Sequence, residues 1–199
     1  MKFPKLKIGN LVPEYPIIQG GMAIRISMAK LASAVADEGG IGVIAGTALP
    51  VDELKAEIKK AKSMTDGILG VNIMFAAKEF KKLLIASVEA GIDVIISGAG
   101  FSRDMFTVGN EYDVPVVPIV SSLRLAKISE KLGADAIVVE GGNAGGHLGT
   151  DEDALPLIKR IKDKIDIPVI GAGDIVTPAD VDNMFKLGLD GVQMGTRFL

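Results

Sequence analysis

Residues 168–195 contain one complete structural period. They begin Pro168-Val169-Ile170-Gly171-Ala172-Gly173-Asp174-Ile175-Val176-Thr177-Pro178-Ala179-Asp180 and end Gly188-Leu189-Asp190-Gly191-Val192-Gln193-Met194-Gly195. A proline followed by two β-branched residues opens a strand. Thr177 as N-cap, Pro178 at the first helical position and Asp180 at the third announce a helix. Gly188 closes that helix as a left-handed C′ residue, and an aspartate leads at once into the next apolar run. The same punctuation recurs through the chain. Pro16 and Pro115 also precede β-branched residues, and Gly91-Ile92-Asp93 and Gly133-Ala134-Asp135 repeat the turn. In all, eight short apolar runs follow one another, starting at Pro16, Ile41, Leu69, Val94, Val116, Ala136, Val169 and Gly191. Each is apolar on both faces, as parallel strands covered on both sides must be. Between them lie stripes of helical period, such as Met28-Leu31-Ala32-Val35-Ala36, Leu54-Ile58-Ala61, Phe80-Leu83-Leu84-Val88 and Ile158-Ile161-Ile165. The connection from Phe101 to Asp113 carries the least helical signal.

Eight strand–helix units with no sign of a second domain predict an α/β fold, the TIM (β/α)8 barrel, as one domain over residues 1–199. An open doubly wound sheet is the competitor, but it concentrates glycine after its first strand, whereas here glycine follows nearly every strand. The chain ends at Leu199, directly after the eighth strand, and is shorter than the ~250 residues typical of the barrel. The eighth helix is therefore expected to be missing. On this reading the barrel is C-terminally truncated, with an apolar gap between its first and seventh helices unless a partner, such as a second copy, covers it.

Composition narrows the function. Twenty-two Lys+Arg against 25 Asp+Glu give a net charge of -3, which argues against a nucleic-acid binder. The absence of Cys excludes disulfides, thiolate metal sites and cysteine nucleophiles, and a single His excludes a multi-histidine zinc site. No apolar run approaches membrane-spanning length and the first residues lack a signal-peptide core, so a cytoplasmic location is expected.

In barrels of this class the chemistry sits at the C-terminal ends of the strands. Those positions hold Gln19-Gly20-Gly21-Met22, Gly46-Thr47, Asn72, Ser97-Gly98, Ser121-Ser122, Glu140 through His147, Gly171-Ala172-Gly173-Asp174 and Gln193-Met194-Gly195-Thr196-Arg197. Glycines after strands seven and eight let backbone amides approach a phosphate, as many barrels do at those two loops. His147 is the only imidazole and the natural proton carrier near neutral pH. Glu140 ends a buried strand and is either an ion-pair partner or a ligand-facing acceptor. Asn72, Gln19 and Gln193 interrupt apolar strands and need hydrogen-bond partners, which a polar ligand would supply. Asp151-Glu152-Asp153 reads as exposed charge at a helix start. No lysine lies at any strand end, which argues against a Schiff-base aldolase or a related phosphosugar enzyme.

Four segments together resemble the nitronate monooxygenase (2-nitropropane dioxygenase) family, to which the flavin-dependent enoyl-ACP reductases of type II are related. They are Pro16 through Met22, Gly70-Val71-Asn72-Ile73, Glu140 through His147, and Gly191 through Phe198. The resemblance runs the length of the chain in order. It implies an FMN-binding barrel in which Gly21, Met22 and Asn72 adjoin the isoalloxazine and Gly145 and Gly146 pass close to the flavin. Gly171, Ala172, Gly173, Gly195 and Thr196 would hold the phosphate, with Gln193 near the ribityl chain. Glu140 and Met194 are counted with these cofactor-binding candidates, and His147 would be the catalytic group facing a small-molecule substrate. The implied activity is oxidation of alkyl nitronates by dioxygen. The alternatives are an NAD(P)H-dependent reductase of enoyl thioesters or quinones, and a truncated flavin- or phosphate-binding barrel without activity. The chain departs from the family at Asp174, where a second glycine is usual, and family members continue beyond Leu199.

Overall fold

The computed structural model describes residues 3–98, 100–142, 144 and 150–199. Eight parallel strands close on themselves in chain order: β1 (Ile17–Gln19), β2 (Ile41–Ala45), β3 (Ile68–Asn72), β4 (Val94–Ser97), β5 (Val116–Val120), β6 (Ile137–Glu140), β7 (Val169–Ala172) and β8 (Gly191–Met194). Closure is made by β1 on β8, with Ile17, Ile18 and Gln19 opposite Val192, Gln193 and Met194. Helices α1 (Ala29–Asp37), α2 (Val51–Lys62), α3 (Phe80–Glu89), α4 (Asp104–Tyr112), α5 (Leu123–Lys131), α6 (Ala154–Ile161) and α7 (Pro178–Lys186) alternate with the strands. The expected (β/α)8 barrel is therefore present, and the Phe101–Asp113 connection does form a helix. After β8 comes a single 3-10 turn, Thr196–Phe198. None of the described helices is long and apolar enough to cross a membrane.

Alternation along the strands sorts side chains into two cores. Ile18, Ile41, Val43, Val94, Ile96, Val117, Val138 and Ile170 fill the barrel with Leu6 and Ile8. Ile44, Leu69, Val71, Ile95, Ile137, Val139, Val169 and Val192 face the helices instead. The helical layer lies close to the strands. A Cβ on Gly42 would stand 1.8 Å from the Ala32 carbonyl oxygen of α1. One on Gly109, inside α4, would stand 2.3 Å from a Val116 methyl. On the flank between α7 and β1, Phe3 packs edge-on against both Tyr15 and Phe185.

The repeated Gly-x-Asp turn has a definite job. Gly91, Gly133 and Gly188 have φ of 95°, 88° and 83°, the left-handed conformation that ends a helix. The aspartate two residues later accepts an N–H at the start of the preceding strand. Asp93 takes Leu69 N–H at 2.8 Å, Asp135 takes Val116 N–H at 2.9 Å and Asp190 takes Val169 N–H at 2.9 Å. The cap before α7 also forms as expected. The Thr177 hydroxyl accepts Asp180 N–H while the Asp180 carboxylate accepts Thr177 N–H. Hydrogen bonds donated to the Asp180 carboxylate by the Thr177 main chain, the Thr177 hydroxyl and the Val176 N–H hold it below the usual carboxylate range.

Candidate functional site

The inward-facing residues at the tops of the strands are unlike those below them. Where lower layers carry Ile and Val, the last inward positions of β3, β6 and β8 carry Asn72, Glu140 and Gln193. These three line a cavity of about 460 Å³ at the C-terminal end of the barrel. A closed barrel buries its interior, so a polar group there needs a partner. Gln193 is 8% exposed, and its Oε1 has no hydrogen-bond partner among the described residues. Glu140 is largely removed from water, and burial pushes its carboxyl above the usual carboxylate range. Gly21 is fixed by contact with Asn72, since a Cβ on it would lie 2.5 Å from the Asn72 Cβ.

The β7 and β8 turns add backbone donors. Gly173, Gly195 and Thr196 line the same cavity, and their N–H groups make no main-chain hydrogen bond to a described residue. Gly173 and Asp174 have φ of 114° and 51°. The left-handed turn at position 174 explains why glycine suits that place and why aspartate, which tolerates it, can stand there. Arg197 also lines the cavity.

Of the cofactor-binding candidates, Gly21, Met22, Asn72, Glu140, Ala172, Gly173, Gln193, Met194, Gly195 and Thr196 all line this one cavity. Gly171 does not. A Cβ on it would meet Leu189 at 2.7 Å, with Ile158 and Met184 next, so its face is turned to the helical layer. Glycine is required there for close packing, and the alternation between inward Ile170 and Ala172 already implied it. Gly145, Gly146 and His147 lie outside the described residues; Ala144, which precedes them, lines the cavity.

Gln19 is a structural residue. The β1–β2 ladder is limited to Ile18 opposite Ile41. Above it, Val43 N–H donates to Gln19 Oε1 at 3.0 Å, and Gln19 Nε2 donates to Ser27 Oγ at 2.7 Å. The amide thus replaces missing strand pairing and anchors the β1–α1 connection. Sequence reasoning missed Ile119, Ile175 and Val176, which supply apolar wall. The signal for Ile119 was its alternation with Val120, which faces the helices.

A ligand that fits this cavity is polar along one edge, meeting Asn72, Glu140 and Gln193, and anionic at one end, meeting the free amides of the β7 and β8 turns. The nitronate monooxygenase family model matches residues 5–83 and 76–199, so the chain belongs to that family. A curated relative from Mycobacterium tuberculosis, (3aS,4S,5R,7aS)-5-hydroxy-7a-methyl-1-oxo-octahydro-1H-indene-4-carboxyl-CoA dehydrogenase, is 33% identical over 94% of this chain and 53% of its own length. A probable nitronate monooxygenase from Staphylococcus aureus is 29% identical over 94% of this chain and 65% of its own. Among solved structures, FabK from Thermotoga maritima superposes with a TM-score of 0.89 at 36% identity, covering 94% of this chain and 59% of FabK. The chain thus spans about half the length of the first curated relatives it matches.

Proposed function

We propose that this barrel binds FMN and serves an oxidoreductase that passes electrons from an alkyl nitronate to dioxygen. The observation that carries the reading is the convergence on one cavity of the unpartnered Gln193 Oε1 and of backbone amides with no main-chain partner among the described residues. Bound flavin would supply the electron transfer, and the protein supplies position and electrostatics. The free N–H groups of Gly173, Gly195 and Thr196 would hold the phosphate, Gln193 would orient the ribityl chain, and Asn72 with Gly21 and Met22 would face the ring. Ala172 and Met194 would border the same ligand, and Glu140 would accept a hydrogen bond from it. His147, three residues beyond cavity-lining Ala144, would accept the substrate α-proton. The enzyme would act on small molecules in the cytoplasm.

A second reading, reduction of an enoyl thioester or quinone by NAD(P)H, is favoured by the likeness to FabK and to a carboxyl-CoA dehydrogenase. The first test is FMN titration of the purified chain. A flavin spectrum that survives desalting supports the site, and a protein that takes up no FMN defeats both readings. Oxygen consumption driven by a nitronate without NADH then supports the first reading, and NADH oxidation driven by crotonyl thioester the second.

A further inference from the structure

A second hollow of about 250 Å³ lies between the β1–α1 and β2–α2 connections. Ala23, Ala45 and Thr47 line both it and the main cavity, so the two spaces share a wall. The rest of its lining is Ile24, Ala48, Leu49 and Arg25. Its polar side chains are already engaged. The Thr47 hydroxyl accepts Met74 N–H at 3.0 Å, and the Arg25 guanidinium grips both carboxylate oxygens of Glu53. What remains is an aliphatic surface, and an apolar hollow of about 150 Å³ already admits benzene.

The roof of this hollow is strained. Ile24 and Arg25 have φ of 55° and 61°, a region that a β-branched residue enters only under constraint. Ile24 is moreover 90% exposed. An isoleucine both strained and bathed in water gains nothing in the ligand-free fold, whereas it gains contact when an apolar group lies beside it. The two-pronged Arg25–Glu53 pair ties the strained turn to α2 and holds it over the hollow. We propose that this hollow binds the hydrocarbon part of the substrate, an alkyl or alicyclic group larger than benzene, whose reacting end lies in the main cavity. The assignment rests on reading the main cavity as a redox site, but it can be tested apart from that reading.

The test is NMR titration of the 199-residue chain with butanol, hexanol and octanol, each with and without FMN. Shifts are expected at Ala23, Ile24, Ala45, Ala48 and Leu49, with affinity rising about fourfold per methylene, equivalent to ~0.8 kcal/mol. Ala48 is exposed, so Ala48→Trp fills the hollow without disturbing the core, and the chain-length dependence should vanish. Ile24→Gly relieves the turn and should weaken octanol severalfold. Alkanol shifts elsewhere, a flat chain-length series in the unaltered protein, or an unchanged series in Ala48→Trp would overturn the assignment. FMN uptake without alkanol binding here refutes the alkyl site alone. Alkanol binding here without FMN uptake refutes the redox reading and leaves the alkyl site standing.

Discussion

At the end of the barrel where the strands begin, Leu6 and Ile8 plug the interior and aspartates of the Gly-x-Asp turns take up N–H groups at the start of β3, β5 and β7. At the opposite end the last inward positions of β3, β6 and β8 carry Asn72, Glu140 and Gln193, and in the turns beyond β7 and β8 the N–H groups of Gly173, Gly195 and Thr196 have no main-chain partner among the described residues. At the lower end the turn aspartates are matched within the chain, whereas at the upper end the buried Gln193 Oε1 and these amides have no such partner among the described residues. Burying unmatched polar atoms lowers stability. On the proposed function, the lower end would carry the fold and the upper end the recognition.

If that division holds, mutations at the two ends should separate into different measurements. The largest effect should come from His147→Ala, which is expected to lower turnover about 10²–10⁴-fold while flavin stays bound; loss of flavin instead would make the residue structural. Ile8→Ala should reduce unfolding free energy by about 2–5 kcal/mol in denaturant titration, with FMN affinity of the folded protein unchanged. If Ile8→Ala also abolishes FMN binding to folded protein, the ends are not separable. Asp190→Ala strands the Val169 N–H and should cost about 1–3 kcal/mol, again without altering FMN affinity.

The smallest effect sharpens the contrast by pH. The Glu140 carboxyl holds its proton more tightly in the folded protein than in the unfolded chain. Its contribution to stability is therefore lost as pH rises from the ordinary carboxylate value through the raised one. Glu140→Gln should melt higher than the unaltered protein at pH 7, and the two should converge below about pH 4. A constant difference across that range would show that the charge at Glu140 is not what burial penalises.

Much of this was legible in the residues. The strands, the left-handed glycines and the Thr177 cap each have a local cause, so local patterns announced them. Helix α4 was harder to see because Gly109 lowers its helical propensity, yet a larger residue would collide with Val116 of β5. That choice is made by tertiary contact and leaves no local trace. The cavity was legible wherever polarity interrupted a strand, as at Asn72, Glu140 and Gln193. Gln19 carries the same interruption with a different cause, because its amide replaces strand pairing, and only the shortened β1–β2 ladder distinguishes the two. Gly171 was placed by its glycine-rich neighbourhood when its inward or outward parity was the better guide. The strained pair Ile24-Arg25 carried no sequence warning, since neither residue type favours positive φ.

Each Gly-x-Asp aspartate belongs to one βα unit by sequence but fastens the strand of the unit before it. Neighbouring units are thus stitched pairwise on the underside, at the opposite end from the cavity. Segments transplanted between barrels of this kind should keep their register only when both members of a stitch travel together, whereas loops on the upper rim can be exchanged one at a time.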